Sequence, residues 1–353
     1  MNHNTLKAID FFCGAGGMSY GFTQAGIRVL GGIDHDVDCK RTYERNIGNA
    51  TYMQRDITHL SCEALADFFG ISPGDDQLVF CGCSPCQFWS KVQTDRTKSR
   101  RTAFLLQHFE RFISYFRPGF IVVENVPGLL RNKRHTILPK FLDFLAQQGY
   151  SFKDGIVDAN HYGVPQHRRR YLLIATRLLD QVTLPLPNKS PSLTVRYAIG
   201  KRAGLSSLDA GERDKGDPLH RAAALSAQNL RRIKKTPHDG GDRSSWRGYT
   251  KLQLKAYAGH DDIFADVYGR MHWDRPAPTI TTRFNSLSNG RFGHPKQHRA
   301  ISLREGAILQ SFPRKFRFLG SSNSSIARQI GNAVPPRMAR RIGSHLKRLT
   351  RHG

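Results

Sequence analysis

Cysteine is scarce and one-sided: six residues, at positions 13, 39, 62, 81, 83 and 86, all in the first quarter of a 353-residue chain. So few thiols at such uneven spacing exclude a disulfide scaffold and fit a reducing compartment. Cys81, Cys83 and Cys86 lie close enough to suggest a metal, but Gln87, Phe88, Trp89 and Ser90 follow them. No fourth ligand stands at zinc spacing, and no metal is expected. No apolar run approaches the ~20 residues of a membrane-spanning helix, and no basic-then-apolar leader opens the chain, so a soluble, cytoplasmic protein is expected. Carboxylates are the other shortage: 28 Asp and Glu face 54 Lys and Arg, a formal charge of +26. Residues 1–184 hold 22 basic side chains against 17 acidic, residues 185–300 hold 21 against 10, and residues 301–353 hold 11 against 1. A field of one sign over the second half reads either as a phosphate-facing surface beside a more neutral domain or as a solvated basic face.

What is present suffices for a buried core, with 39% hydrophobic residues, and the length suits about two domains. The first half alternates short apolar runs with helix-like stretches, the signature of an α/β sheet. Strands are expected over 6–12, 28–33, 78–81, 120–123 and 171–175. Helices are expected from about Ser19 and over 36–46, 102–116 and 136–147. From about residue 185 the texture changes: Pro185, Pro187 and Pro191 mark a linker, and 204–248 is rich in Gly, Ser, Asp and Arg with little apolar periodicity. Order returns at 277–282, and 326–349 has the spacing of one helix with a basic outer face.

Four short segments carry chemistry. Asp10-Phe11-Phe12-Cys13-Gly14-Ala15-Gly16-Gly17 is a strand running into a glycine turn before a helix, the arrangement that grips nucleotide-like cofactors. Asp34 ends the next strand, where a carboxylate can accept from ribose hydroxyls. Ser19 stands where G-x-G-x-x-G needs its third glycine, so a cofactor without pyrophosphate suits the turn at least as well; any tight βα turn would look alike. Ser84-Pro85-Cys86-Gln87 follows a strand and offers either a nucleophilic thiol or an inert buried one. A zinc deaminase would need P-C-x-x-C, and its second cysteine is absent. Glu124-Asn125-Val126-Pro127 puts a carboxylate at a strand end, as an acid or as a loop cap. Gln166-His167-Arg168-Arg169-Arg170 can grip a phosphate or a carbonyl oxygen, or be a solvated basic run.

Taken in order, these segments resemble the cytosine-5 DNA methyltransferases of prokaryotic restriction-modification type. Arg275-Pro276-Ala277-Pro278-Thr279-Ile280-Thr281, Arg304-Glu305 with Leu309-Gln310-Ser311-Phe312-Pro313, and Gly331-Asn332-Ala333-Val334-Pro335-Pro336 complete the likeness. It covers the chain outside about 185–270, where that family has its target-recognition region. The resemblance implies an α/β, Rossmann-like, S-adenosylmethionine-dependent large domain over 1–184, completed by 322–353, and a smaller, loop-rich target-recognition domain over 185–321. It places Phe12, Gly14 and Gly16 along the cofactor, Asp34 on the ribose, Asp56 on the adenine amino group, His35 where a bulky ring packs on adenine, and Asn332 in a turn returning to the same pocket. Asp34 departs from the more frequent Glu. Cys86 would be the nucleophile and Glu124 the contact to the target cytosine's ring nitrogen and amino group. Arg168 and Arg170 would lie near the base, with Arg170 on its carbonyl oxygen.

The implied reaction is methyl transfer to carbon 5 of a cytosine swung out of duplex DNA. Gln87 and Ser90 beside the nucleophile, and Arg231, Arg232, Lys234 and Arg243 in the variable region, would face DNA, reading bases or anchoring phosphates. The basic C-terminal helix reads as a solvated or phosphate-near face. Double-stranded DNA is the expected partner of a monomer without membrane contact, alongside a cognate restriction endonuclease acting separately. Methylation of a structured RNA such as tRNA is the alternative within the chemistry. A nicotinamide oxidoreductase would rest on the glycine turn and Asp34 alone, and nothing supports a DNA-binding protein that has lost catalysis.

Overall fold

The computed structural model describes residues 5–83, 105–131, 138–189, 192–254 and 266–351. Two compact units emerge: Met1–Tyr162 with Arg169–Asn188 and Ala333–Gly353, and Gly163–Arg168 with Lys189–Asn332.

The first unit is built on one sheet of seven strands: β1 (Lys7–Phe11), β2 (Arg28–Asp34), β3 (Thr51–Gln54), β4 (Leu78–Gly82), β5 (Phe120–Asn125), β6 (Ser151–Asp158) and β7 (Arg169–Thr176). Their order is β3-β2-β1-β4-β5-β7-β6. The β1–β2, β2–β3, β1–β4 and β4–β5 pairs are parallel, while β7 runs antiparallel between β5 and β6. Every residue of β4 and β5 is buried, as the continuous apolar runs of centrally placed parallel strands require. The helices of this unit are α1 (Gly17–Gln24), α2 (Val37–Asn46), α3 (Cys62–Phe69), α4 (Leu105–Phe116), α5 (Gly128–Arg131) and α6 (Leu138–Gln147). Phe109, Phe112 and Phe116 of α4 meet Phe11 and Phe80 under one sheet face; the Phe11 ring packs edge-on against Phe80 at 5.0 Å and Phe109 at 4.9 Å.

Strand order reverses between β1 and β4, and in such sheets ligands bind beyond the carboxyl ends of the strands at that reversal. The glycine turn after β1 leaves the sheet there, and Cys83 follows β4 at the same edge.

The sequence reading missed β3 and β6. β3 has only four residues, and β6 carries Asp154, Gly155 and Asp158, poor strand formers, at the sheet edge. Pairing with β7, residue by residue from Ser151↔Thr176 to Asp158↔Arg169, makes it a strand.

The expected single helix over 326–349 is two. In the second unit, α7 (Val195–Ile199), α8 (Ala227–Lys235) and α9 (Leu303–Leu309) are followed by α10 (Asn323–Asn332). The chain breaks at Ala333–Pro335, and α11 (Pro336–Leu349) starts afresh in the first unit. Pro335 and Pro336 cause the break, because a residue preceding proline is pushed out of the helical region and proline itself suits a helix's first turn. Residues 323–332 therefore sit with the second unit, where α10 packs on α9. Residues 277–282 hold no strand; Ala277 makes an isolated bridge to Gln166. No helix among the described residues is long and apolar enough to cross a membrane.

Candidate active site

The turn after β1 is held by its own backbone and by Asp34. Phe12 and Gly14 have left-handed φ values of 61° and 50°, which fold the chain sharply back on the strand end. The Cys13 N–H donates to the Ile33 carbonyl at 3.1 Å, and the Gly14 N–H donates to Asp34 Oδ2 at 2.9 Å. Asp34 Oδ1 accepts from the Asp36 N–H at 3.0 Å, and the exposed His35 ring lies 3.3 Å from the same oxygen. Burial raises the Asp34 carboxyl despite those hydrogen bonds. Each carboxylate oxygen keeps a further lone pair for a ligand hydroxyl. A side chain at Gly14 would meet nothing within 4 Å, so the outer side of the turn is open. Asp56 lies beyond β3, where Oδ1 accepts from the Thr58 N–H at 2.9 Å and its hydroxyl at 2.8 Å; the backbone bond above all keeps this carboxyl ionised. An open glycine turn, Asp34 and His35 suit a small ribose-bearing cofactor.

Beneath the turn lies a polar knot that the sequence reading passed over. Asp10 points from β1 to the face opposite Phe11, where its Oδ2 accepts from the Ser19 hydroxyl at 2.6 Å and the Ser19 N–H at 3.2 Å. The Ser19 hydroxyl lies 2.9 Å from the Tyr43 hydroxyl. Burial pushes the Asp10 carboxyl up to about 7, with the Asp34 charge adding to it. The only signal in the sequence was one acid inside an otherwise apolar strand.

At the carboxyl end of β5, Glu124 is 7% exposed. Its Oε1 lies 3.1 Å from Arg170 Nε. Register explains the pair: Glu124 stands opposite Leu172 on β7, and Arg170 lies two residues earlier on the same face, past the end of β5. Cys83, after β4, adjoins Glu124; burial first, then the Glu124 and Asp10 charges, push its thiol well up. Cys86, Gln87 and Ser90 lie outside the described residues.

Arg168 is placed differently from Arg170. It is 3% exposed within the second unit, where Nη1 donates to the Ile280 carbonyl at 3.1 Å and Nη2 to the Gly331 carbonyl at 3.2 Å. Gln166 Nε2 donates to the Leu309 carbonyl at 3.0 Å and its Oε1 accepts from the Ile280 N–H at 3.0 Å, while Gln310 Nε2 donates to the Ile330 carbonyl at 2.7 Å. Four segments far apart in the chain are thus tied together by two glutamines and one arginine. Gly331 is demanded there, since a Cβ would stand 2.4 Å from the Thr281 carbonyl. Asn332 closes α10 with its side chain exposed.

The residues expected to face DNA divide. Arg231 and Lys234 are exposed on α8. Arg232 and Arg243 are buried, at 7% and 6%, and that expectation is corrected. The Arg232 guanidinium donates to the Leu252 and Gln253 carbonyls at 2.9 and 3.1 Å and to Asn229 Oδ1 at 2.9 Å, between the Trp246 and Tyr268 rings. Its neighbours on α8 made it look like part of one basic run, but helical spacing turns it and Ile233 inward. No group of His, Cys, Asp and Glu among the described residues could hold a metal ion.

The family profile of the C-5 cytosine-specific DNA methylases matches residues 6–348. The chain belongs to that family. It is similar to the type II methylase M.HgiDII of Herpetosiphon aurantiacus, at 38% identity over 349 residues, covering 96% of this chain and 94% of that one. The type II methyltransferase M.AgeI of Thalassovita gelatinovora is 28% identical, with 97% and 99% covered. Among solved structures, a prophage-encoded protein of E. coli described as a DNA modification methyltransferase superposes with a TM-score of 0.70 at 25% identity, over 98% of this chain and 100% of that one. The seven-stranded sheet is the Rossmann-like sheet of these enzymes, and the protein is a DNA (cytosine-5)-methyltransferase.

Proposed function

We propose that this enzyme methylates cytosine at carbon 5 in a specific duplex sequence, as the modification partner of a separate restriction endonuclease in the bacterial cytoplasm. The observation that carries the reading is the buried Glu124 held by Arg170 on the same sheet edge as the Gly14–Asp34 turn. Phe12, Gly14, Gly16, Asp34, His35 and Asp56 would hold S-adenosylmethionine, which when bound would supply a methyl group on a sulfonium.

Carbon 5 of cytosine is a weak nucleophile. Attack of the Cys86 thiolate on carbon 6 would move electron density to carbon 5, which could then take the methyl group as its bond to the sulfonium sulfur breaks and a neutral thioether leaves. Glu124 stabilises the charge that builds at the ring nitrogen, and Arg170 that at the carbonyl oxygen; each works best in a site closed to water. Loss of the carbon 5 proton then expels Cys86 and restores the ring. Arg168, spent on two backbone carbonyls, positions the segment before Arg170 rather than touching the base.

The test uses purified enzyme, S-adenosylmethionine and mixed-sequence duplex DNA, followed by nucleoside mass spectrometry. Wild type forms 5-methylcytosine, Cys86→Ala forms none, and Glu124→Gln slows the reaction about 10²–10³-fold. Near-normal product from Cys86→Ala overturns the mechanism. Transfer to tRNA but not to DNA overturns the substrate.

A further inference from the structure

α11 lies alongside α1 with the two axes running the same way. A Cβ at Gly17 would collide with the Val334 carbonyl, one at Gly21 would stand 2.4 Å from the Ala339 Cβ, and Lys347 Nζ donates to the Ala25 carbonyl at 3.2 Å. The helix therefore begins at the glycine-turn edge of the sheet and ends at the opposite edge, where β1 and β2 start.

Its inner face, Met338, Ala339, Ile342, Gly343 and Leu346, is fully buried. The outer face repeats at helical spacing: Arg337, Arg340, Arg348 and Arg351 are exposed, with Arg341 and Lys347 half-buried. From Arg337 to Arg351 this stripe spans about 21 Å. The chain has no Asp or Glu after Glu305, and among the described residues none lies in ion-pair reach of Arg340, Arg341, Lys347, Arg348 or Arg351.

We propose that this stripe is a second DNA-binding surface, which holds the phosphate backbone of duplex DNA along the flank of the first unit, from the glycine-turn edge toward the opposite one, without reading sequence. The proposal rests on the reading of DNA as the substrate above. Cations without acidic partners at this density would repel one another unless a polyanion covers them, and duplex DNA presents about one charge per 1.7 Å, roughly a dozen over the length of the stripe. A bilayer is a poor match, because the apolar side of α11 is already spent on α1 and cannot enter lipid. The surface adds sequence-independent affinity, which raises the local concentration of sites offered to the catalytic edge.

The variant Arg340→Gln/Arg348→Gln/Arg351→Gln removes three of these charges and spares Arg341 and Lys347, which also bond to backbone carbonyls. Its affinity for a short mixed-sequence duplex, read by fluorescence anisotropy between about 50 and 200 mM salt, has a log–log salt slope shallower by about 0.9 for each phosphate no longer neutralised, roughly two to three in all. Turnover at saturating DNA and the melting temperature stay at wild-type values. Ser344→Glu, which sets one acid amid the stripe, shifts the slope the same way and guards against misfolding of the triple variant. An unchanged slope in folded protein overturns the proposal, as does a change seen with tRNA but not with duplex DNA. Wild type that methylates no DNA overturns the underlying reading instead, so the two failures are told apart.

Discussion

In the first unit the backbone pairs with itself, strand to strand, and the side chains beneath it are Phe11, Phe80, Phe109, Phe112 and Phe116. In the second, no strand is present among the described residues, and the largest fully buried side chains beside Trp246 are Arg270, Arg299 and Arg304. Loops leave carbonyls without ladder partners, and a buried carbonyl must be paired. Arginine, with five donors in a rigid fork, meets that need better than any other side chain. Arg270 shows how far this goes: it donates to the carbonyls of Ile233, Thr236, His294 and Gln297 at 2.7, 3.0, 2.8 and 2.5 Å, and to His298 Nδ1 at 2.8 Å. Burial lowers its guanidinium to about 10. Arg299 grips Glu305 with both ends of its fork, at 2.7 and 2.8 Å. The positive charge of this region is therefore in part internal mortar, and its count overstates what is offered to DNA.

The sharpest way to break this contrast is Arg270→Met. A methionine suits an apolar core, so if the second unit were packed like the first the exchange would cost little. Stranding four carbonyls at about 1–3 kcal/mol each predicts a loss of at least about 4 kcal/mol, enough to unfold the second unit. Phe109→Ala costs the first unit about 3–5 kcal/mol through its cavity. Denaturant melts followed by a probe in each unit, with Trp246 serving for the second, separate the two effects.

Acid and base also act on the units with opposite sign. Asp10 is raised to about 7, so its contribution to stability is full below the ordinary aspartate range near 4 and is lost as pH rises through 7. In the second unit burial lowers His294 to about 4, so stability falls as pH drops from 6.5 toward 4. Burial alone would raise Glu305, but the Arg299 hydrogen bonds and charge outweigh it and hold the carboxyl to about 2, so the loss continues as pH falls from 4.5 toward 2. Melts at pH 5 and pH 8 thus shift the two units in opposite directions, and Asp10→Asn removes the shift of the first alone.

The gentlest test separates neighbours on α8. Arg231→Gln weakens DNA binding with a salt slope shallower by about 1 and leaves the melt unchanged. Arg232→Gln lowers the stability of the second unit by about 2 kcal/mol, from stranded carbonyls, and leaves the slope unchanged. Equal slopes for the two variants would mean that burial does not sort these arginines.

These contrasts mark where the sequence was legible. β1, β2, β4, β5 and β7 stood out because apolar runs bounded by turns need only local information. Glu124 and Arg170 could be singled out as candidates because each sits beside a strand end in a short, unusual motif. Arg232 was misread because a basic residue in sequence carries no mark of the carbonyls, here those of Leu252 and Gln253, that it will meet from a loop twenty positions away. Gln166 and Gln310 escaped for the same reason: their bonds span more than 140 residues. Asp10 escaped because one acid in an apolar strand looks like noise until Ser19 and Tyr43 close on it.

The parallel seating of α11 on α1 also sets a clock. The buried face of α1 is made before its partner, residues 336–349, which comes more than 300 positions later. At about 5–20 residues per second, translation leaves that face uncovered for roughly 15–60 s. Until α11 is made, Met18, Tyr20 and Phe22 of α1 lack the partner that buries them in the finished fold.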